Sequence, residues 1–140
     1  MEVFEKILVG TDGSESASRA VARAVQLAAS VDAELLVVHV HPHSNVGYSL
    51  AGDSLPAIER GKEILREVEH RYGGELKLRI LLREGEPAGE IIDVAEEEGV
   101  DLIVVGNKGM TGSSRFLVGS VPNRVSHHAR CDVLIVHTTD

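Results

Sequence analysis

Gly106-Asn107-Lys108-Gly109, nine further residues and then Gly119-Ser120 follow directly on the apolar run Leu102-Ile103-Val104-Val105. Residues of these types at this spacing can hold phosphate. Glycines let backbone N–H groups approach an anion with no Cβ in the way, and Ser120 adds a hydroxyl donor where the next helix starts. No Asp or Glu occurs in the 30 residues from Leu102 to Cys131, where an even spread of the 22 acids would put four or five. Lys108, Arg115, Arg124 and Arg130 give that window a charge of +4, against −12 for the remainder of a chain of net charge −8. The local potential favours an anionic ligand, and a nucleotide is the reading drawn from it. Thr11-Asp12, after the first apolar run, is the second candidate. Asp12 can hold a ribose hydroxyl or a metal ion carried on phosphate, or it can merely turn the chain with Gly13 and lead into a helix capped by Ser14.

Other chemistries fit less well. No Gly-Lys-Ser/Thr triplet opens a helix after four variable residues, so the loop is not a Walker A sequence, and it does not follow the first strand as a dinucleotide fingerprint would. His39, His41 and His43 alternate at the end of the second apolar run, and His127-His128 are adjacent. A proline separates residues 41 and 43, and neighbours on a helix point about 100° apart, so neither set has the one-face spacing of a helical zinc site. Ser113, Ser114 and Ser120 have no Gly-x-Ser-x-Gly elbow, which leaves serine hydrolysis unsupported. Cys131 is the single cysteine. It excludes an intrachain disulfide and reads as a small buried residue at the start of a strand.

The elements that must position these residues follow from periodicity. Five apolar, β-branched runs, Ile7 to Val9, Leu35 to Val40, Leu76 to Leu82, Leu102 to Val105 and Val133 to Val136, are separated by four helical patterns. Near-continuous apolar runs are what strands covered on both faces require, which predicts an α/β fold with a parallel sheet between helices. The first helix is capped by Ser14 and carries a slim stripe of Ala17, Val21, Ala24, Val25 and Ala28. The second has a bulkier stripe of Leu55, Ile58, Leu65, Val68 and Tyr72, stopped by Gly73-Gly74. Pro87 opens the third, with Ala88, Ile91, Ile92 and Ala95 inward, Glu96 to Glu98 on a solvated surface and Gly99 at its end. The fourth starts at Ser120 and places Val121, Val125 and His128 on one face. His41 to Ser54, with Pro42, Gly47 and Gly52, is long for a βα connection and reads as a flap near the ligand. In a doubly wound sheet that ligand lies outside the strand ends where winding reverses, between the first strand and the fourth.

With 140 residues, 43% of them hydrophobic, a single domain over residues 1–140 is expected. No apolar run approaches the roughly 18 residues that span a bilayer, and Met1-Glu2-Val3-Phe4-Glu5 is acidic where a signal peptide is basic, so a cytoplasmic location without membrane association is expected. The acidic balance, with two Phe, two Tyr and no Trp, argues against nucleic acid as a partner.

Ile7-Leu8-Val9-Gly10-Thr11-Asp12-Gly13-Ser14 and Gly106-x-x-Gly109-x9-Gly119-Ser120-Val121, with His39-Val40, Gly85-x-Pro87 and Asp101 to Gly106 between them, resemble the universal stress protein family along the whole chain. The resemblance implies a doubly wound five-stranded parallel sheet of order 3-2-1-4-5 with helices on both faces. It implies a homodimer paired through the last strand, here Val133 to His137. Because every motif position is kept, it further implies the ATP-binding subgroup, with ATP or another adenine nucleotide and Mg²⁺ or Mn²⁺. Carried over by resemblance, Thr11 and Asp12 contact ribose and phosphate, the backbone of Val40 reads the adenine edge, and Gly106, Gly109, Gly119, Ser120 and Val121 surround phosphates and ribose. Gly112 is an additional glycine, and His41 to Ser54 matches no pattern of the family.

The resulting expectation is a nucleotide-dependent regulatory or sensor homodimer in stress response. A slow ATPase or phosphotransferase is one alternative, although no positioned base or arginine finger is evident. A nucleotide-independent dimeric interaction module is another. A phosphoacceptor receiver domain is disfavoured, since the third strand ends Leu81-Leu82-Arg83-Glu84 without an Asp.

Overall fold

The computed structural model describes residues 3–42, 51–107 and 121–138, with the backbone alone for 51–55. The elements are β1 (Lys6–Gly10), α1 (Glu15–Val31), β2 (Glu34–His41), α2 (Ala51–Tyr72), β3 (Leu78–Glu84), α3 (Pro87–Glu98), β4 (Leu102–Gly106), α4 (Val121–His128) and β5 (Asp132–Val136). All strand pairings are parallel and the order is β3-β2-β1-β4-β5.

Alternation along the strands divides the core in two. Ile7, Val9, Leu35, Val37, Leu102 and Val104 pack with α1 and α2, whereas Leu8, Leu36, Val38, Val40, Ile103 and Val105 pack with α3 and α4. Each central strand is therefore buried on both faces, which is why its sequence is continuously apolar. The small stripe of α1, Ala17, Ala20, Val21, Ala24, Val25 and Ala28, is buried, and Ser14 caps the helix by accepting the Ala17 N–H at 3.1 Å.

Several elements depart from the sequence reading. α2 begins at Ala51, so residues 51–54 are helical, and 43–50 of the expected flap lie outside the described residues. Gly52 lies in the first turn of that helix. Of the α2 stripe, Leu65 is fully buried, whereas Ile58, Val68 and Tyr72 are half-buried. The place of a bulky residue is taken by Gly61, where a Cβ would lie 2.6 Å from His39 Cδ2 and 2.7 Å from Leu82 Cδ1. β3 starts two residues later than the pattern suggests, because Leu76 packs against the core from the preceding turn. In α3, Val94 is buried and Ile92 half-buried. Its last-turn carboxylates are not simply solvated: Glu98 accepts from Arg79 at 2.6 Å, Glu97 from Arg83 at 2.9 and 3.0 Å, and Glu96 lies 3.8 Å from Arg130. His128 is exposed, and Ala129 packs at the core instead, which avoids burying an imidazole without partners. Among the described residues, no helix is long and apolar enough to cross a membrane.

Candidate functional site

The chain winds from β1 toward β2 on one side and returns to β4 on the other, so the carboxyl ends of β1 and β4 flank the crevice where α/β sheets bind ligands. Val9 lies opposite Val104, which puts Asp12 three residues and Gly106 two residues beyond one rung of the ladder, at the same edge.

Thr11 is 2% exposed and anchored by every polar group it has. Its N–H donates to Val38 O at 2.9 Å, its carbonyl accepts from His39 Nδ1 at 2.8 Å, and its Oγ1 accepts from the Gly13 N–H at 3.1 Å. The acceptor is a carbonyl, so Nδ1 of His39 carries the proton. Asp12 then serves the turn with one oxygen: Oδ1 accepts the Ser14 N–H at 2.9 Å, and Gly13 continues at φ +83°. Among the described residues Asp12 Oδ2 has no hydrogen-bond partner, so the turn uses only one of the two carboxylate oxygens. His41, at the end of β2, is likewise buried, and its Nδ1 has no partner among the described residues.

Val40 is buried, with its side chain in the α3/α4 half of the core, which leaves only its backbone to face a ligand. Val121 is buried as the first residue of α4, where its N–H is one of the four that a helix leaves without an intrahelical acceptor. Gly106 has a packing reason of its own. A Cβ there would stand 3.1 Å from Thr138 Cγ2 and 3.7 Å from Ser16 Oγ. Gly109, Gly119 and Ser120 lie outside the described residues, as do Lys108 and Arg115.

The positive charge of the acid-free window is only partly available to a ligand. Arg124 lies 2.7 Å from Glu86 Oε2, and that carboxylate also caps α3 by accepting the N–H groups of Gly89 and Ala88 at 2.9 and 3.2 Å. Arg130 lies beside Glu96 at the far end of α4. A charge count along the sequence does not see partners that α3 brings from outside the window. Sequence reasoning also passes over Ser16, Arg19 and Thr138, which gather around Gly106 and Asn107. Asn directly after a glycine at a strand end is the signal available for the last of these, since its side chain readily bonds nearby backbone.

A partly open space of about 90 Å³ lies behind the β1 turn, between Thr11, Gly13, Val21, Ile64 and Tyr72. It is well below the few hundred Å³ of a ligand pocket. Cys131 lies elsewhere, beside Val100 and Arg130, with its thiol pushed up by burial and by Asp132 and Asp101.

Residues 4–137 match the model of the Universal stress protein family. The chain belongs to the universal stress protein family. A universal stress protein of Mycobacterium tuberculosis strain H37Rv is 37% identical over 147 residues, covering 99% of this chain and 100% of that protein. A universal stress protein solved in complex with cAMP is similar at TM-score 0.80 and 35% identity, over 99% of this chain and 100% of that one. The universal stress protein from Archaeoglobus fulgidus in complex with dAMP is similar at TM-score 0.63 and 27% identity, over 95% and 98%. The strand order 3-2-1-4-5 with four helices is thus the universal stress protein fold, and adenine nucleotides bind to members that share it.

Proposed function

We propose that the crevice between the carboxyl ends of β1 and β4 binds an adenine nucleotide, and that occupancy makes this universal stress protein a regulatory sensor rather than a dedicated catalyst. The observation that carries the reading is the placing of the Asp12 turn and the opening of the glycine motif on adjacent strand ends at the point where the winding reverses. Support comes from the two similar structures that hold cAMP and dAMP. Thr11 and Asp12 border ribose and phosphate, the backbone of Val40 meets the adenine edge, and Gly106, Gly109, Gly119, Ser120 and Val121 enclose phosphates and ribose. ATP is the proposed ligand. The donor set suits a cation held mainly by phosphate oxygens, because Asp12 contributes a single free carboxylate oxygen; Mg²⁺ or Mn²⁺ meets that description.

A second copy of the chain is the proposed partner, along β5. The two edges of the sheet differ: β3 carries Arg79 and Arg83 in ion pairs, whereas β5 exposes Leu134 at 38% and Ile135 at 47%. Charged edges resist strand addition and short apolar ones invite it. A second reading of the ligand, an adenosine monophosphate in cyclic or open form, is favoured by the cAMP and dAMP complexes. Competition among ATP, AMP and cAMP for the nucleotide-free protein, with and without Mg²⁺, separates the two. Tighter binding of ATP that depends on Mg²⁺ supports the first, and preference for a monophosphate with no metal dependence supports the second.

A further inference from the structure

Asn107 is the second residue of the glycine motif, and its amide is committed to the chain leaving β5. Thr138 donates to Asn107 Oδ1 twice, from its N–H and from its hydroxyl, each at 2.8 Å. The Asn107 N–H donates to Val136 O at 2.8 Å, and Nδ2 lies 3.4 Å from His137 Nδ1. Two donors converging on Oδ1 fix the orientation of the amide. The Thr138 hydroxyl has given its proton to Asn107, so its bond with Ser16 is one in which the serine donates. From the same turn of α1, Arg19 donates to the Thr138 carbonyl at 3.0 Å. Thr138 is 3% exposed, and its methyl fills the space that Gly106 leaves by having no Cβ.

We infer that Asn107 and Thr138 are positioning residues for the phosphate loop, and that residues 137–138 belong to the nucleotide site although they lie 30 and 31 positions beyond Asn107 along the chain. The inference rests on the adenine-nucleotide reading above. A loop that binds an anion through backbone N–H groups must have those groups aimed before the ligand arrives, and the direction in which it leaves the sheet is decided at its first residues. Here the backbone and side chain of residue 107 are both held. The bonds come from two elements, the end of β5 and the first turns of α1, so the exit is fixed from both sides. Threonine suits position 138 because it supplies the hydroxyl to Asn107 and Ser16 together with the methyl against Gly106.

The test uses the full chain, Thr138→Val, which keeps the methyl and the backbone N–H, and Asn107→Ala, which removes the shared acceptor. Each is titrated with ATP, AMP and adenosine. ATP and AMP should bind on the order of tenfold more weakly to Asn107→Ala and severalfold more weakly to Thr138→Val, the scale of one or two lost hydrogen bonds. Adenosine, which has no phosphate, should change less than about twofold. In the free protein, amide exchange at Asn107 should accelerate in Thr138→Val. Equal losses for adenosine and the nucleotides would mark a merely structural role and overturn the inference, as would unchanged ATP affinity in both variants or unchanged exchange at Asn107. If Asn107→Ala does not fold, Thr138→Val and Ser16→Ala carry the same comparison. Failure of the unaltered protein to bind any adenine ligand would instead remove the nucleotide reading itself, and is seen before any variant is made.

Discussion

His39 donates its Nδ1 proton to the carbonyl of Thr11 at 2.8 Å, so an imidazole at the end of β2 sets the height of the turn that carries Asp12. Both residues are buried, at 8% and 2% exposure, and Gly61 lets α2 lie directly against the ring. His39→Leu would leave the Thr11 carbonyl unpaired in a dry place. It should lower stability by about 1–3 kcal/mol in denaturant unfolding. His39→Asn, whose side-chain amide can place a donor near Nδ1, should lose less than half as much.

Asp12 uses Oδ1 for the turn, and the proposed function gives Oδ2 to the ligand. Asp12→Asn keeps an acceptor for the Ser14 N–H and should unfold within about 0.5 kcal/mol of the native protein, whereas Asp12→Ala also loses the turn and should cost about 1 kcal/mol. Nucleotide affinity should fall in both. If affinity is unchanged in Asp12→Asn, the carboxylate is only a turn former.

Much of this fold was legible because burial on both sheet faces forces continuous apolar runs, and those runs place the strands, their order following from the family motifs. Ser14, Pro87 and Gly99 mark helix ends through local hydrogen bonding and backbone conformation, which a sequence displays directly. What stayed hidden depends on pairings distant in sequence. Arg124 looks free until α3 brings Glu86 beside it, and the carboxylates at the end of α3 look solvated until β3 supplies Arg79 and Arg83. Gly61 looks like a helix defect until His39 and Leu82 are seen against it. At the candidate site, the motif marks Gly106 but not Thr138, because the contact between them joins elements with no shared local pattern.

The Arg83 fork binds both oxygens of Glu97 and also reaches Glu90 at 2.9 Å. The hydrogen bonds from Arg83 hold the Glu97 carboxyl below its ordinary value. A carboxylate depressed in the folded state contributes stability that is complete above the unfolded value of about 4.3 and is lost as pH falls through the folded value. The stability difference between the native protein and Arg83→Met should therefore be constant from about pH 6 to 8 and shrink as pH drops from about 5 to 3. Urea unfolding across that range checks it. A difference that grows on acidification would be the wrong sign.

The apolar edge of β5 gives a prediction for assembly. If the proposed pairing through β5 holds, the native protein should sediment as a dimer and Leu134→Lys with Ile135→Lys as a monomer, with little change in the fold, because both side chains are substantially exposed in the isolated chain. Charge-neutralising changes at Arg79 on the opposite edge should leave the sedimentation of the native protein unchanged, and a native protein that sediments as a monomer would contradict the pairing.

The most direct measurement is a calorimetric titration of nucleotide-free protein with Mg·ATP, with Gly119→Val as the control for heat that arises at the glycine motif. Saturable binding in the micromolar range, lost in Gly119→Val while the variant keeps its native circular dichroism and unfolding midpoint, is the predicted result. No saturable heat with the unaltered protein, or the same affinity in Gly119→Val, would contradict nucleotide binding at this motif.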